Sequence, residues 1–257
     1  MHLWPTAPIG LGVLRNKFAQ KIALYLEKKI YQAAQKIIAL SPNMQAGVLE
    51  KTPLKEVILI PNMADINLFY PQEKDKILAE KYQVNQKFVL SYFGAISYAN
   101  HLEYMLEIAK VAQDKKLDKL TFWIGGKGAK MKEIKNLAQK YALKNVAFFE
   151  HQNTQNLKNL LQLTDAVYVS FLQNKVLESN SPNKFFDALA GGKLCTVNTA
   201  GWLKDLVEQN ECGFYANPQN PTEFIQKIIP FLEDTNLLKI QQANARALAI
   251  KEFSMRY

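Results

Sequence analysis

The sequence predicts an α/β fold built on a parallel sheet. Two observations carry that prediction. Short apolar runs rich in β-branched and aromatic residues recur along the chain, and longer segments with apolar residues three or four apart lie between most of them. Strands that alternate with helices in this way form a parallel sheet covered on both faces. A hydrophobic content of 48% over 257 residues is ample for the core such a fold needs.

The elements follow in chain order. Leu11, Leu14, Phe18, Ile22, Leu26 and Ile30 recur at helical spacing, so this stretch reads as one amphipathic helix. Residues 1–40 also hold Arg15, Lys17, Lys21, Lys28, Lys29 and Lys36 against Glu27 alone, more than half of the net charge of +9. One reading is a solvated face on a helix packed against a neighbouring domain. The sharper reading is a basic helix near an anionic membrane surface, a peripheral contact. No basic–aromatic ladder or recognition motif accompanies the charge, so nucleic acid is not expected as a partner. IIAL (37–40) is strand-like, Ser41 caps a short helix running to Leu49 with Pro42 following, and VILI (57–60) reads as a strand. A boundary is expected near Pro61–Asn62. Residues 1–61 hold too few elements for an α/β domain, whereas 62–257 make one complete domain.

Beyond the boundary, FVLSYF (88–93), LTFWI (120–124), VAFF (146–149), AVYVS (166–170) and LCTV (194–197) read as strands. His101–Gln113, Ala129–Tyr141 and Thr154–Leu163 read as helices between them, and Leu237–Phe253 as a C-terminal helix. The expected architecture is a Rossmann-like, doubly wound parallel sheet, whose ligand lies at the carboxyl ends of the strands.

Several function classes lack support. No apolar run approaches the ~18 residues of a membrane span. The first basic residue is Arg15, which is not the charged-then-apolar order of a secretion signal. Cys195 and Cys212 match no metal or redox spacing and suggest a reducing compartment. The expectation is a cytoplasmic protein, at most peripheral at the inner face of the membrane, with no metal and no cofactor.

The loops after the strands are where chemistry is sought. Gly94 follows FVLSYF and either lets backbone amides approach a ligand or forms an ordinary tight turn. LTFWI runs into Gly125-Gly126-Lys127-Gly128. Met131 stands where a dinucleotide fingerprint needs its third glycine, and Gly192-Lys193 is followed by Leu194 rather than a P-loop hydroxyl. A flexible loop is therefore expected there, with phosphate contact the minority reading. His151 reads as a surface residue, and His2 and His101 have no evident partners. Nothing resembles a nucleophilic triad.

SPNKFFDALAGGK (181–193) says more. Ser181 suits an N-cap, Pro182 the first helical position, and Gly191-Gly192 the end of a short helix. Lys184 then lies in the first turn, where a cation is disfavoured by ~0.3–1 kcal/mol at an exposed site. It becomes favourable once an anion binds the free amides of the helix start. Asp187, three residues on, shares its face. Lys184 can grip a phosphate while Asp187 accepts hydrogen bonds from hydroxyls, a pairing that suits a nucleotide. The alternative is a solvated Lys/Asp pair.

Taken together these segments resemble the retaining family 4 glycosyltransferases (glycosyl transferases group 1), which have the two-domain GT-B fold. IIALSPNM (37–44) and VILIPNMADINLF (57–69) are similar to the family's end-of-first-domain and linker signatures. FGAISYANHLEYMLEIAK (93–110), Gly125 to Lys130, and ESNSPNKFFDALAGGKLCTVNTAGWLKDLVEQNECGFYANPQNPTEF (178–224) are similar to its donor-domain loops and signature helix. The SPNK helix and HLWPTAPIGLGVLRNKF resemble most the branch that makes bacterial surface polysaccharides.

The resemblance implies a nucleotide-sugar donor, a UDP-sugar, and a saccharide or polyprenyl-linked acceptor, with retention at the anomeric carbon. It places the family's ribose-binding carboxylate on Asp187 and its sugar-contacting carboxylate on Ser179, with Glu178 adjacent. Gly94 matches a family glycine, but Ala95 and Asn100 stand where the family carries two pyrophosphate cations. Lys184 is then expected to supply compensating charge. The implied donor-binding set is Gly94, Ala95, Asn100, Lys127, Glu178, Ser179, Asn180, Ser181, Pro182, Asn183, Lys184 and Asp187, and no catalytic residue is assigned. Residues 1–61 resemble a helical remnant of the acceptor domain. The glycine-rich first loop has no counterpart, and the C-terminal helix stops early at Tyr257. A shortened enzyme, half of a split enzyme or a non-catalytic nucleotide-sugar-binding module are all consistent with that departure.

Overall fold

The computed structural model describes residues 4–254, so His2 lies outside the described residues. The chain opens with α1 (Thr6–Gly10), α2 (Lys17–Ala33), β1 (Ile37–Ala39), α3 (Pro42–Lys51) and β2 (Val57–Leu59). It continues with α4 (Lys76–Lys81), β3 (Phe88–Ala95), α5 (Leu102–Asp114), β4 (Leu120–Lys127), α6 (Met131–Lys140), β5 (Val146–Phe149), α7 (Thr154–Leu163) and β6 (Ala166–Val169). It closes with α8 (Asn183–Ala190), β7 (Leu194–Val197), α9 (Trp202–Gln209), β8 (Gly213–Tyr215), α10 (Pro221–Glu233) and α11 (Thr235–Leu248).

Six strands form one parallel sheet in the order β5-β4-β3-β6-β7-β8. The chain winds outward from β3 through β5, then returns to β6 and winds the other way. The switch therefore falls between β3 and β6, and a crevice opens at their carboxyl ends. Alternation along the strands supplies both faces. Leu90, Tyr92, Phe122 and Ile124 pack under α5 and α10, while Val167, Val169, Cys195 and Val197 pack under α8, α9 and α11. Val89 and Trp123 meet α4 and α7 in a third cluster. The short elements α4 and β8 and the helices α9 and α10 complete the layers that the strand pattern alone outlines.

The glycine stretch after LTFWI differs from the expected flexible loop. It continues β4, with Gly94 opposite Gly126 and Ala95 opposite Lys127. A Cβ on Gly126, whose φ is 137°, would lie 1.8 Å from the Gly94 carbonyl oxygen. The two backbones approach too closely for any side chain there, so the glycine serves strand pairing.

Residues before the large sheet also depart from expectation. Asn16 caps α2 by accepting from the Phe18 and Ala19 amides, so the helix begins at Lys17 and leaves Leu11 and Leu14 outside it. The face α2 turns inward carries Ala23 and Glu27, not the apolar stripe. Glu27 is buried and takes the Lys51 ammonium at 2.7 Å and the Tyr31 hydroxyl at 2.9 Å. Phe18, Ile22, Leu26 and Ile30 face outward and are exposed. Helical spacing identifies the stripe but not its side, and here a buried ion pair decides the side. β1 and β2 form a separate two-stranded parallel sheet, covered on one side by α3 through Ala39, Met44 and Val48.

Candidate functional site

The crevice at the strand ends gathers backbone from β3 and β4 and the start of α8. Helix α8 is fixed by its apolar side. Phe185, Phe186, Ala188, Leu189 and Ala190 are buried, and the Phe186 ring meets Phe253 with centroids 5.1 Å apart. Each buried phenylalanine stabilises this placement by roughly 1.5–3 kcal/mol. That leaves Lys184 on the side facing β3.

Lys184 lies against Gly94, ninety residues away in sequence. A Cβ on Gly94 would stand 3.0 Å from the Lys184 Cε and Nζ, so the bare glycine makes room for the lysine. The ammonium rests over the Tyr92 ring, 3.7 Å from its centroid. Tyr92 is fully buried and donates its hydroxyl to the Ala95 carbonyl at 2.6 Å, which fixes the ring. Among the described residues no carboxylate lies within ion-pair distance of Lys184. Burial pulls its pKa down to about 7. Asp187 is pushed up to about 6, chiefly by burial and secondarily by Asp65. Both groups are held in environments that oppose their charges, and a ligand carrying anions and hydroxyls would relieve both.

The segment leading into α8 differs from the expected cap. Pro182 occupies the N-cap position with extended backbone, Asn183 opens the helix, and Ser181 lies one residue too early to cap it. A residue before proline is biased toward extended backbone, which holds Ser181 out of the helix. Its hydroxyl is buried with no hydrogen-bond partner among the described residues. Ser179 is buried and donates its hydroxyl to the Val176 carbonyl at 2.8 Å. Glu178 is half-buried beside Gly201. Asn180 is buried, and Asn183 is exposed with its amide oxygen accepting from Asn62.

The remaining residues of the implied set separate. Ala95 is exposed at the end of β3, and Lys127 is exposed at the end of β4. Asn100 is buried, and its side-chain oxygen accepts from the Ser97 hydroxyl at 2.7 Å, so it closes its own loop. Gly94, Lys184 and Tyr92 are brought together. Tyr92 carries no signal in the sequence beyond an aromatic two residues before a glycine. A cavity of about 100 Å³ opens beside this group, lined by Phe93, Gly94, Gly125, Gly126, His151, Gln152 and Leu157. A larger cavity of about 520 Å³, bordered by Tyr82, Thr121 and Asn145, lies at the amino ends of the strands. The strand-end rule favours the smaller one, which reaches the Lys184 group through Gly94. Among the described residues no group of three His, Cys, Asp or Glu side chains is placed to hold a metal ion.

Comparison with known proteins adds to this geometry. Residues 73–248 match the family model of glycosyl transferases group 1. The chain is 28% identical over 207 residues to the putative colanic acid biosynthesis glycosyl transferase WcaI of Escherichia coli, covering 77% of this chain and 49% of that protein. Among solved structures, sucrose-phosphate synthase from Thermosynechococcus elongatus superposes with a TM-score of 0.75 at 19% identity, over 96% of this chain and 61% of that one. Anabaena Alr3699/HepE, solved in complex with UDP and glucose, superposes with a TM-score of 0.77 at 21% identity, over 91% of this chain and 64% of that one. These neighbours have the GT-B fold, and the chain spans about half the length of WcaI.

Proposed function

We propose, from the premise that the chain belongs to the glycosyl transferases group 1 family, that its strand-end crevice binds a UDP-sugar donor. One observation carries the reading: Lys184 stands at a helix start, on a tyrosine ring and beside a bare glycine, and among the described residues no carboxylate pairs with it. Such a cation gains most from a diphosphate, and holding the leaving diphosphate is an electrostatic task suited to a helix N-terminus and an ammonium. Asp187, one turn on, is the ribose ligand in this reading. Gly94, Ala95, Lys127 and the 178–183 segment border the donor. The relative's name, a putative colanic acid biosynthesis glycosyl transferase, supports a role in cell-surface polysaccharide synthesis. The transfer of a hexosyl group with retention to a saccharide or polyprenyl-linked acceptor is what the family resemblance adds to this reading. No described helix is long and apolar enough to cross a membrane. The basic face of α2 supports peripheral contact at the inner leaflet.

Within this reading residues 1–61 belong to an acceptor domain and its linker, and 62–257 form the donor domain. Titration of the chain with uridine, UMP and UDP tests it. Affinity should climb steeply at the diphosphate, and equal affinities for uridine and UDP would contradict the assignment. A second reading, a module that needs another polypeptide half, is favoured by the outward apolar stripe of α2, where Phe18 and Ile30 are 73% and 60% exposed. Sugar transfer by the purified chain alone would count against that reading.

A further inference from the structure

The backbone that leads into α8 is held from behind by three side chains. Ser41 donates its hydroxyl to the Ser179 carbonyl at 2.6 Å. Trp202 donates its indole N–H to the Asn180 carbonyl at 2.8 Å. Asn62 donates to the Ser181 carbonyl at 2.7 Å and, with the same amide group, to Asn183 Oδ1 at 2.8 Å. Three successive carbonyls thus each receive a side-chain donor. Two of those donors come from residues 138 and 119 positions earlier in the chain.

The Asn180 amide donates to the Leu177 carbonyl at 3.1 Å and so closes the loop itself. We infer that Ser41, Asn62 and Trp202 are positioning residues of the nucleotide site, fixing the 179–183 backbone so that the Ser181 amide and hydroxyl face the ligand. This rests on the donor-site reading above. The peptide unit is planar and trans, so an occupied carbonyl aims the following N–H the opposite way. Trp202 on the Asn180 carbonyl therefore turns the Ser181 N–H away from α9. Pro182 has no N–H, so the next peptide can be anchored only through the carbonyl that Asn62 takes. In the first turn of α8 the Phe185 amide donates to the Pro182 carbonyl at 3.0 Å, and the geometry of any helix leaves those of Asn183 and Lys184 without an intrahelical partner. The buried, unpartnered Ser181 hydroxyl adds a polar group awaiting a partner. Both hydrogens of the Asn62 amide are used on this one segment, which is full use of its donors.

The arrangement ties residues before the large sheet to the site that the large sheet builds. Ser41 accepts from the Met44 amide at 3.1 Å to cap α3 and donates to Ser179 with the same hydroxyl. A shift of α3 against the sheet therefore moves the ligand loop directly. Gly201, with a φ of 84°, brings α9 close enough that a Cβ there would lie 3.2 Å from the Glu178 carbonyl oxygen.

The test is UDP titration of the 257-residue chain and its variants. Asn62→Asp replaces the donor by an acceptor of the same shape and should weaken UDP binding about 10-fold, as expected when a buried carbonyl loses its donor. Ser41→Gly keeps much of the capping preference but removes the hydroxyl, and should weaken UDP to a similar extent. Ser41→Thr restores a hydroxyl and should return affinity to within about threefold of wild type, a rescue that a volume effect would not produce. Asn16→Ala removes a helix cap far from the loop and should leave UDP affinity unchanged. No UDP binding by the wild-type chain overturns the donor reading, and this inference with it. Wild-type binding that survives Asn62→Asp and Ser41→Gly within twofold overturns the inference alone, as does an equal loss in Asn16→Ala.

Discussion

Lys130 and Lys184 each stand at the start of a helix and each lay an ammonium over a tyrosine ring, 4.7 Å from the Tyr98 centroid and 3.7 Å from that of Tyr92. Their surroundings then diverge. Lys130 bonds Glu103 at 2.6 Å and also pairs with Glu133. Burial alone would lower its pKa, but the two carboxylates outweigh it and the pKa is raised. Lys184 has no such partner among the described residues, and burial draws its pKa down to about 7. The first lysine is complete within the protein and staples α5 to α6. The second has no carboxylate partner among the described residues, and in the proposed reading a diphosphate supplies the missing charge.

The most demanding way to break the comparison is to remove each ammonium. Lys184→Met should weaken UDP binding by about 100-fold, the loss expected for charge-assisted hydrogen bonds to phosphate. Lys130→Met should leave it within about threefold. Calorimetric titration of both variants measures the contrast, and equal losses would erase it. Asp187→Asn should cost about 10-fold in UDP affinity and should cost less for a nucleotide whose ribose lacks its 2′ and 3′ hydroxyls.

Thermal stability should move the other way. Lys184→Met removes a half-buried cation with no carboxylate partner among the described residues and should raise the melting temperature of the ligand-free chain at pH 7, by about 2–4 °C for each ~1 kcal/mol gained. Lys130→Met strands two carboxylates and should lower it, which a paired melting scan detects. The linkage signs agree. With its folded pKa below the unfolded value, Lys184 binds fewer protons folded than unfolded between about pH 7 and 10.5, so its contribution to stability rises across that window. The Lys130 contribution, with its pKa raised, is present below the ordinary lysine value and is lost as pH climbs through the folded pKa. The smallest expected effect is a gain. Ala95→Arg places a cation on the exposed end of β3 and should tighten UDP binding about threefold at low salt, fading as salt rises.

How much of this was legible in the sequence follows from what local pattern can carry. β3 through β7 are legible because their apolar, β-branched runs are bounded by turns. Lys184 and Asp187 are legible because a lysine in the first turn conflicts with the helix dipole, and the conflict asks for a ligand. The placement of Tyr92 under that lysine is not, since it depends on β3 and α8 becoming neighbours across the switch point. The same holds for Ser41 and Asn62, which read as an ordinary cap and a linker residue until the 179–183 backbone is laid against them. Asn100 was expected beside the donor because of its place in a motif, whereas the structure turns it into its own loop toward Ser97. For α2 the period was visible and the direction was not, because Glu27 points inward only when Lys51 is there to meet it.

In the proposed reading Lys184, with its pKa drawn down to about 7, is largely neutral at pH 8 until a diphosphate binds beside it. Calorimetric UDP titration near pH 8, repeated in buffers of different ionisation enthalpy, counts the protons taken up on binding. The wild-type chain should take up close to about one proton per UDP, because the bound diphosphate restores the charged lysine, and Lys184→Met should take up none. Binding without proton uptake, or the same uptake in Lys184→Met, would contradict it.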